Sequence, residues 1–266
     1  MSTRISSTFQ RLKEADQKGF VAYITAGDPT LEATVALALS LEKAGVDILE
    51  LGVPFSDPLA DGLVNQLAAQ RALEAGASLI GVLKAVQEIR KTSELPLVLF
   101  TYLNPVYQYG YEKFFNDASE AGVDGVLFLD LPPEESLANH EFTGTGLDLI
   151  RLIAPTTSAS RMDAIAQTGT GFIYYVSREG VTGEQAELST SIAGQIEKLR
   201  AATSLPIAIG FGISTPEQAM EAAQFADAVV VGSAIVRRVG EWGQEPDLAK
   251  KVQDFVAPMT AAVHGR

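Results

Sequence analysis

Pro206-Ile207-Ala208-Ile209-Gly210-Phe211-Gly212-Ile213-Ser214-Thr215-Pro216-Glu217-Gln218 holds a strand, a turn and a helix start in one short stretch. The run Pro206–Gly210 has strand length and no polar alternation, which suits a parallel strand covered on both faces. Gly210 and Gly212 then break it. Thr215 offers an N-cap oxygen, Pro216 occupies a first helical position that needs no N–H, and Gln218 is the returning side chain of a capping box, so a helix begins there. Repetition of this unit decides the fold.

Downstream, Ala228–Val231 runs into Gly232-Ser233-Ala234 in the same way. Upstream, strand-length apolar runs occur at Phe20–Thr25, Ile48–Val53, Leu97–Tyr102, Gly125–Leu129, Leu147–Ile153 and Gly171–Val176, most of them followed by a turn signal and a helical segment. One such segment, Leu31–Ala44, carries apolar residues at Leu31, Val35, Leu37, Leu39, Leu41 and Ala44 and stops at Gly45. Eight strand–helix units in 266 residues fit a closed barrel, and no shift in composition divides the chain. The fold expected is α/β, a (β/α)8 TIM barrel forming a single domain over residues 1–266, with an extra N-terminal helix before the first strand. An open doubly wound sheet is the alternative, because periodicity does not show closure. In a barrel, functional residues belong at the C-terminal ends of the strands and just beyond them.

Composition narrows the chemistry. Twenty basic against 33 acidic residues give a net charge of −13, which argues against a general nucleic-acid or anionic-membrane surface. With no cysteine there is no disulfide, thiolate nucleophile or zinc–thiolate site. The start of the chain has no apolar core of a secretory signal, and the charge-free stretch Leu95–Tyr111 is interrupted by Pro96, Asn104, Pro105 and Gly110, so a soluble, cytoplasmic protein is expected. The two histidines, His140 and His264, are read as surface residues, which leaves no His triad or multi-His metal site. No lysine falls in a strand-like run, which disfavours Schiff-base chemistry. Carboxylate acid/base chemistry remains.

Glu50 is out of pattern between Leu49 and Leu51, in the second strand-like run. Burial there would raise its pKa and suit it to proton transfer near neutrality; a solvated strand end or an ion pair is the plain alternative. Asp61 ends the Pro-, Gly- and Asp-rich loop after that strand and is either functional or a cap for a helix starting near Leu63. Asp28, Asp57 and Asp130 are read first as turn formers. The turns Gly210–Ser214 and Val231–Ala234 follow the last two strands, where barrels commonly bind phosphate on backbone N–H groups and a helix N-terminus. They contain no Lys or Arg, so backbone donors would do the holding. Ser177–Glu184, after the sixth run, has the small residues and charge of a mobile lid, or of an exposed loop.

In order and spacing, these segments resemble the tryptophan synthase alpha subunit family over essentially the whole chain. Leu49–Gly62 is similar to the family signature almost residue for residue, and Tyr23–Pro29, Tyr102–Pro105, Ser177–Gly183 and Gly210–Ser214 also match. The resemblance implies cleavage of indole-3-glycerol phosphate to indole and glyceraldehyde 3-phosphate. It implies Glu50 as general acid/base, Asp61 as acceptor for the indole N–H, and Tyr174 beside the glycerol chain. Tyr102 and Thr182 join the substrate-binding set, Thr182 as part of the lid, while Gly183, Gly212, Gly232 and Ser233 hold the phosphate. It implies no metal and no cofactor on this chain, and a pyridoxal-phosphate beta subunit as partner, in an α2β2 complex that receives the indole.

Where the family usually continues after Asp61-Gly62 with Pro, a β-branched residue, Ile and Gln, this chain has Leu63-Val64-Asn65-Gln66. The missing proline bears on how firmly the Asp61 loop rests. Rival readings are a stand-alone lyase releasing free indole, a sugar-phosphate isomerase, which would want further acids, His or Lys at strand ends, and a silent barrel that only activates a partner. Glu50 and Asp61 together argue against the last.

Overall fold

The computed structural model describes residues 3–135, 144–176, 185–210 and 212–265. Eight parallel strands follow one another around a closed barrel: β1 Gly19–Thr25, β2 Ile48–Gly52, β3 Leu97–Thr101, β4 Gly125–Phe128, β5 Asp148–Ile153, β6 Ile173–Val176, β7 Ile207–Gly210 and β8 Ala228–Val231. Closure is made by β8 on β1, with Gly19 opposite Ala228 and Ala22 opposite Val231. That pairing excludes the open sheet. The strands lie where the apolar runs predict, most of them trimmed at an end: Leu147, Gly171, Phe172 and Pro206 precede their strands rather than belong to them, while β1 starts one residue earlier, at Gly19.

Eleven helices surround the barrel among the described residues: α1 Arg4–Glu14, α2 Leu31–Lys43, α3 Leu63–Glu74, α4 Leu79–Arg90, α5 Leu103–Tyr109, α6 Tyr111–Ala121, α7 Ala159–Thr168, α8 Gln185–Ala202, α9 Pro216–Ala223, α10 Ser233–Trp242 and α11 Leu248–Val263. Gly45 takes φ +92° to end the α2 segment, as its place in the sequence predicts. Thr215 caps α9 through its side chain, but Gln218 reaches further than a capping box. Its Oε1 accepts the Ser214 N–H at 2.8 Å and so stiffens the turn after β7.

Alternation along the strands sorts the side chains. Val21, Ile48, Val98, Leu127, Ile150 and Phe172 point inward and form the lower core, and α1 closes its floor with Ile5, Phe9 and Leu12. The opposite faces pack under the helices. Arg4 reaches Asp124 at 3.0 Å and Arg11 reaches Asp47 at 2.9 Å, which fastens the extra helix across the N-terminal face.

Two residues differ from their sequence reading. His264 is not a surface residue: its side chain is 8 % exposed and its Nε2 lies 2.8 Å from Asp47 Oδ2. Burial alone would push Asp47 up, but bonds from His264, the Phe20 N–H and Arg11 hold its carboxyl below the usual range. Asp28 does follow β1 in a turn, yet it is buried and takes two bonds from Arg71, at 2.9 and 2.7 Å. Asp57 accepts the Ser56 hydroxyl in the loop after β2, and Asp130, just after β4, accepts the N–H of Leu103, the first residue of α5. His140 lies outside the described residues.

Candidate active site

All eight strands are parallel, so their C-terminal ends open on one face. Glu50 sits there, two residues beyond the inward-facing Ile48, and by strand alternation it points into the barrel. Its register neighbours are Tyr23 on β1 and Val98 on β3. The residue is fully buried and, among the described residues, neither carboxyl oxygen has a hydrogen-bond partner. Burial penalises the carboxylate and pushes its pKa up to about 8. At neutral pH Glu50 therefore carries a proton it can give, and the ion-pair and solvated readings of this residue are both excluded.

Asp61 faces the same mouth from the β2–α3 loop. The N-cap of α3 is Gly62, with no side-chain cap bond, so Asp61 is not the helix cap. Its Oδ2 accepts the Tyr102 hydroxyl at 2.8 Å, and its backbone carbonyl accepts the Gln66 amide at 2.9 Å. Burial raises the carboxyl pKa, and the bonds from Tyr102 and Asn65 pull against that rise. The result is an oriented acceptor, half-buried, at the edge of the barrel.

Tyrosines fill the space between them. A Cβ on Gly52 would lie 2.1 Å from the Tyr23 hydroxyl, and one on Gly210 would lie 2.6 Å from that of Tyr174. Glycine at these two strand ends is what lets the rings lie across the mouth. Burial drives both phenol pKa values up, and the charge interaction with Glu50 adds to it, so both hydroxyls stay protonated as donors. Tyr23 also packs edge-on against Phe100 at 5.0 Å. Sequence reasoning passed over Tyr23 and Phe100 as site residues; alternation with the inward Val21 and Val98 was the available signal.

The turns read from the sequence as a phosphate site follow β7 and β8. Gly212 takes φ +64° with nothing within 4 Å of where a Cβ would be, an open backbone site. Gly232 precedes α10, and Ser233 is its first residue. The N–H groups of Ile235 and Val236 both turn back to the Gly232 carbonyl, which leaves those of Ser233 and Ala234 as the open donors of the first turn among the described residues. Arginine is closer than the sequence reading allowed. Gly212, Ser214 and Ser233 share a cavity of about 170 Å³ with Arg237 and Arg238 of α10. Thr182 and Gly183, and the Ser177–Glu184 segment read as a lid or an exposed loop, lie outside the described residues.

The sequence pattern of the family described as Tryptophan synthase alpha chain matches residues 9–264. The tryptophan synthase alpha chain of Geobacter sp. (strain M21) is 47% identical over 262 residues, 98% of each chain. That of Opitutus terrae is 49% identical over 261 residues, 96% of this chain and 98% of its own. The crystal structure of tryptophan synthase subunit alpha from Legionella pneumophila superposes with a TM-score of 0.92 at 41% identity, covering 100% of both chains. Match, identity and superposition run the length of the barrel that carries Glu50 and Asp61, and the chain belongs to the tryptophan synthase alpha chain family.

Proposed function

We propose that Glu50 is the general acid/base and Asp61 the acceptor for the indole N–H in the reaction of this family. That reaction is cleavage of indole-3-glycerol phosphate to indole and glyceraldehyde 3-phosphate, a carbon–carbon lyase step of tryptophan biosynthesis whose indole passes to the beta subunit. The observation that carries the assignment is the Glu50 carboxyl, fully buried and without a hydrogen-bond partner among the described residues, at the C-terminal end of β2.

The electron count closes with these groups. Glu50 gives its proton to the ring carbon that bears the glycerol chain, and the cationic ring nitrogen keeps its N–H on the Asp61 carboxylate. Loss of the proton from the adjacent glycerol hydroxyl forms the new carbonyl, and the carbon–carbon bond breaks with its electron pair returning to the ring. Glu50, now a carboxylate, takes that proton and is reset. A positioned acid/base group contributes roughly 10²–10⁴-fold. Tyr174 and Tyr102 line the substrate, Thr182 belongs to the closing lid, and Gly183, Gly212, Gly232 and Ser233 hold the phosphate.

The reading extends to the assembly. Residues 1–266 work as one barrel domain in the cytoplasm, without a cofactor or metal of their own. Among the described residues no helix is long and apolar enough to cross a membrane. Alpha chains of this family pair with a beta subunit, and the partner here supplies pyridoxal phosphate in an α2β2 complex. Leu59, 93% exposed, and Leu63, 69% exposed, flank Asp61 and support docking at the site's own loop.

The test is indole release from indole-3-glycerol phosphate by the purified chain, with and without a beta subunit. Glu50→Gln abolishes nearly all release while the fold and phosphate binding persist. Substantial turnover by that variant removes Glu50 from the role, and release that is fast alone and unmoved by the partner identifies a stand-alone lyase.

A further inference from the structure

The first turn of α3 carries a polar group that the mechanism leaves unused. Asn65 stands one helical turn after Asp61, and its Nδ2 donates to Asp61 Oδ1 at 3.4 Å while Tyr102 holds Oδ2. That contact sets the amide's orientation, since turning it over would place its carbonyl oxygen against a carboxylate oxygen. In this orientation Asn65 Oδ1 is buried and, among the described residues, has no hydrogen-bond partner. A buried acceptor without a donor is uncommon and costly, and it persists where something other than stability requires it. On the same helix Val64 and Ala68 pack against Tyr23 and Phe100, so this side of α3 faces the barrel mouth.

We propose that Asn65 positions Asp61 and completes the nitrogen-recognition end of the site. Its amide N–H holds one oxygen of the carboxylate, and its open carbonyl oxygen shares the indole N–H with the other. The inference rests on the assignment of Asp61 as the indole N–H acceptor. In the sequence, residue 65 is only part of a departure from the family pattern; the geometry gives the departure a task.

Titration gives a readout that packing does not. The titratable groups facing Asp61 are Tyr102, which bonds it, and Tyr23 on β1, with Glu50 beyond Tyr23. Both phenols stay protonated, so over the working range neither sets a charge beside the Asp61 carboxyl, and the bonds from Tyr102 and Asn65 are what oppose its burial. Removing the Asn65 bond leaves Tyr102 alone to oppose burial and moves the titration of the carboxyl upward.

The experiment compares Asn65→Leu and Asn65→Asp with the parent chain, using indole-3-glycerol phosphate as substrate and reading kcat/KM against pH and thermal melting. Leu nearly matches Asn in shape and is the better helix former, so it removes the unsatisfied oxygen without loosening α3. Expected for Asn65→Leu is a loss of about tenfold in kcat/KM, the equivalent of one hydrogen bond to a charged group. Its acid limb moves to higher pH, and its melting temperature is unchanged or raised. Asn65→Asp retains acceptor oxygens but sets a like charge beside Asp61, and its acid limb moves further. Unchanged kcat/KM and pH profile in Asn65→Leu overturns the proposal, as does a loss of activity accompanied only by lower melting and an unmoved profile. Asp61→Asn is the control: if it turns over like the parent, the Asp61 assignment itself fails, whereas an impaired Asp61→Asn beside an unaffected Asn65→Leu refutes the Asn65 inference alone.

Discussion

The Tyr102 hydroxyl donates to Asp61 Oδ2 at 2.8 Å and, on the same oxygen, accepts the Ala60 N–H at 2.9 Å. One side chain placed just after β3 thus fixes both the backbone and the carboxylate of the loop that leaves β2. Its ring lies 5.3 Å from that of Phe55, so the phenyl group has a packing place of its own.

Tyr102→Phe keeps that packing and removes both hydrogen bonds. A bond to a charged group is worth about 1.5–3 kcal/mol, so kcat/KM for indole release falls by roughly 10- to 100-fold. Asp61 loses the strongest influence opposing its burial, and the acid limb of the pH profile moves upward. Circular dichroism separates this from unfolding, because the variant retains the parent spectrum.

Glu50 couples activity and stability to pH in the same sense, both falling as pH rises. As the acid of the reaction it must be protonated, so kcat/KM declines as pH rises through about 8. In the unfolded chain the same group titrates near 4.5. Between those values the folded protein binds one more proton than the unfolded, and stability falls with rising pH across that window. Glu50→Gln removes the dependence. Its advantage over the parent grows upward from about pH 5 and reaches on the order of 3 kcal/mol near neutrality. Melts at a series of pH values read it directly, and parallel curves for the two proteins would show that Glu50 does not titrate in this window.

The exposed start of α3 is open to stiffening. Leu63 is the first helical residue, and Gly62 before it has φ −72° and ψ 161°, an extended conformation that a following proline accepts. Leu63→Pro therefore adds about 0.4–1 kcal/mol of stability through the unfolded state. The measured signature is a small rise in melting temperature with turnover of the isolated chain maintained. A lower melting temperature would mean that the Leu63 side chain packs in a way its exposure does not suggest.

Local signals were the legible ones. Glu50 stood out because an acid in an apolar run breaks a pattern that extends only over its neighbours, and the turn-and-cap chemistry around Gly210 to Gln218 is equally short-range. What escaped depends on residues far apart in the chain. His264 meets Asp47 across 217 positions, so a polar tail residue became a buried partner. Tyr23 enters the site through its register with Glu50, and a strand's register is set by pairing that no single segment encodes. Asn65 was visible only as an odd residue, since its meaning lies in which of its two amide atoms finds a partner.

The buried carboxylate of Asp28 supplies the remaining prediction. Arg71 approaches it with Nε at 2.9 Å and Nη2 at 2.7 Å, a two-point contact that lysine has no means to reproduce. Gly240 leaves the room for it, as a Cβ there would sit 2.8 Å from Arg71 Nη2. The pair joins the last turn of α3 to the β1–α2 turn, and the opposite end of α3 adjoins Asp61. Arg71→Met strands the carboxylate. Removing one partner of a buried pair costs about 3–5 kcal/mol, and because Arg71 is itself 38% exposed, solvent reduces this to about 2–3. Arg71→Lys recovers little of the loss. If the cost is that of an unpaired charge, Asp28→Asn in the Arg71→Met background restores part of it, so the two substitutions together cost less than their sum. Denaturant titration of the four proteins measures that coupling, and strict additivity would assign the effect to packing of the arginine stem instead.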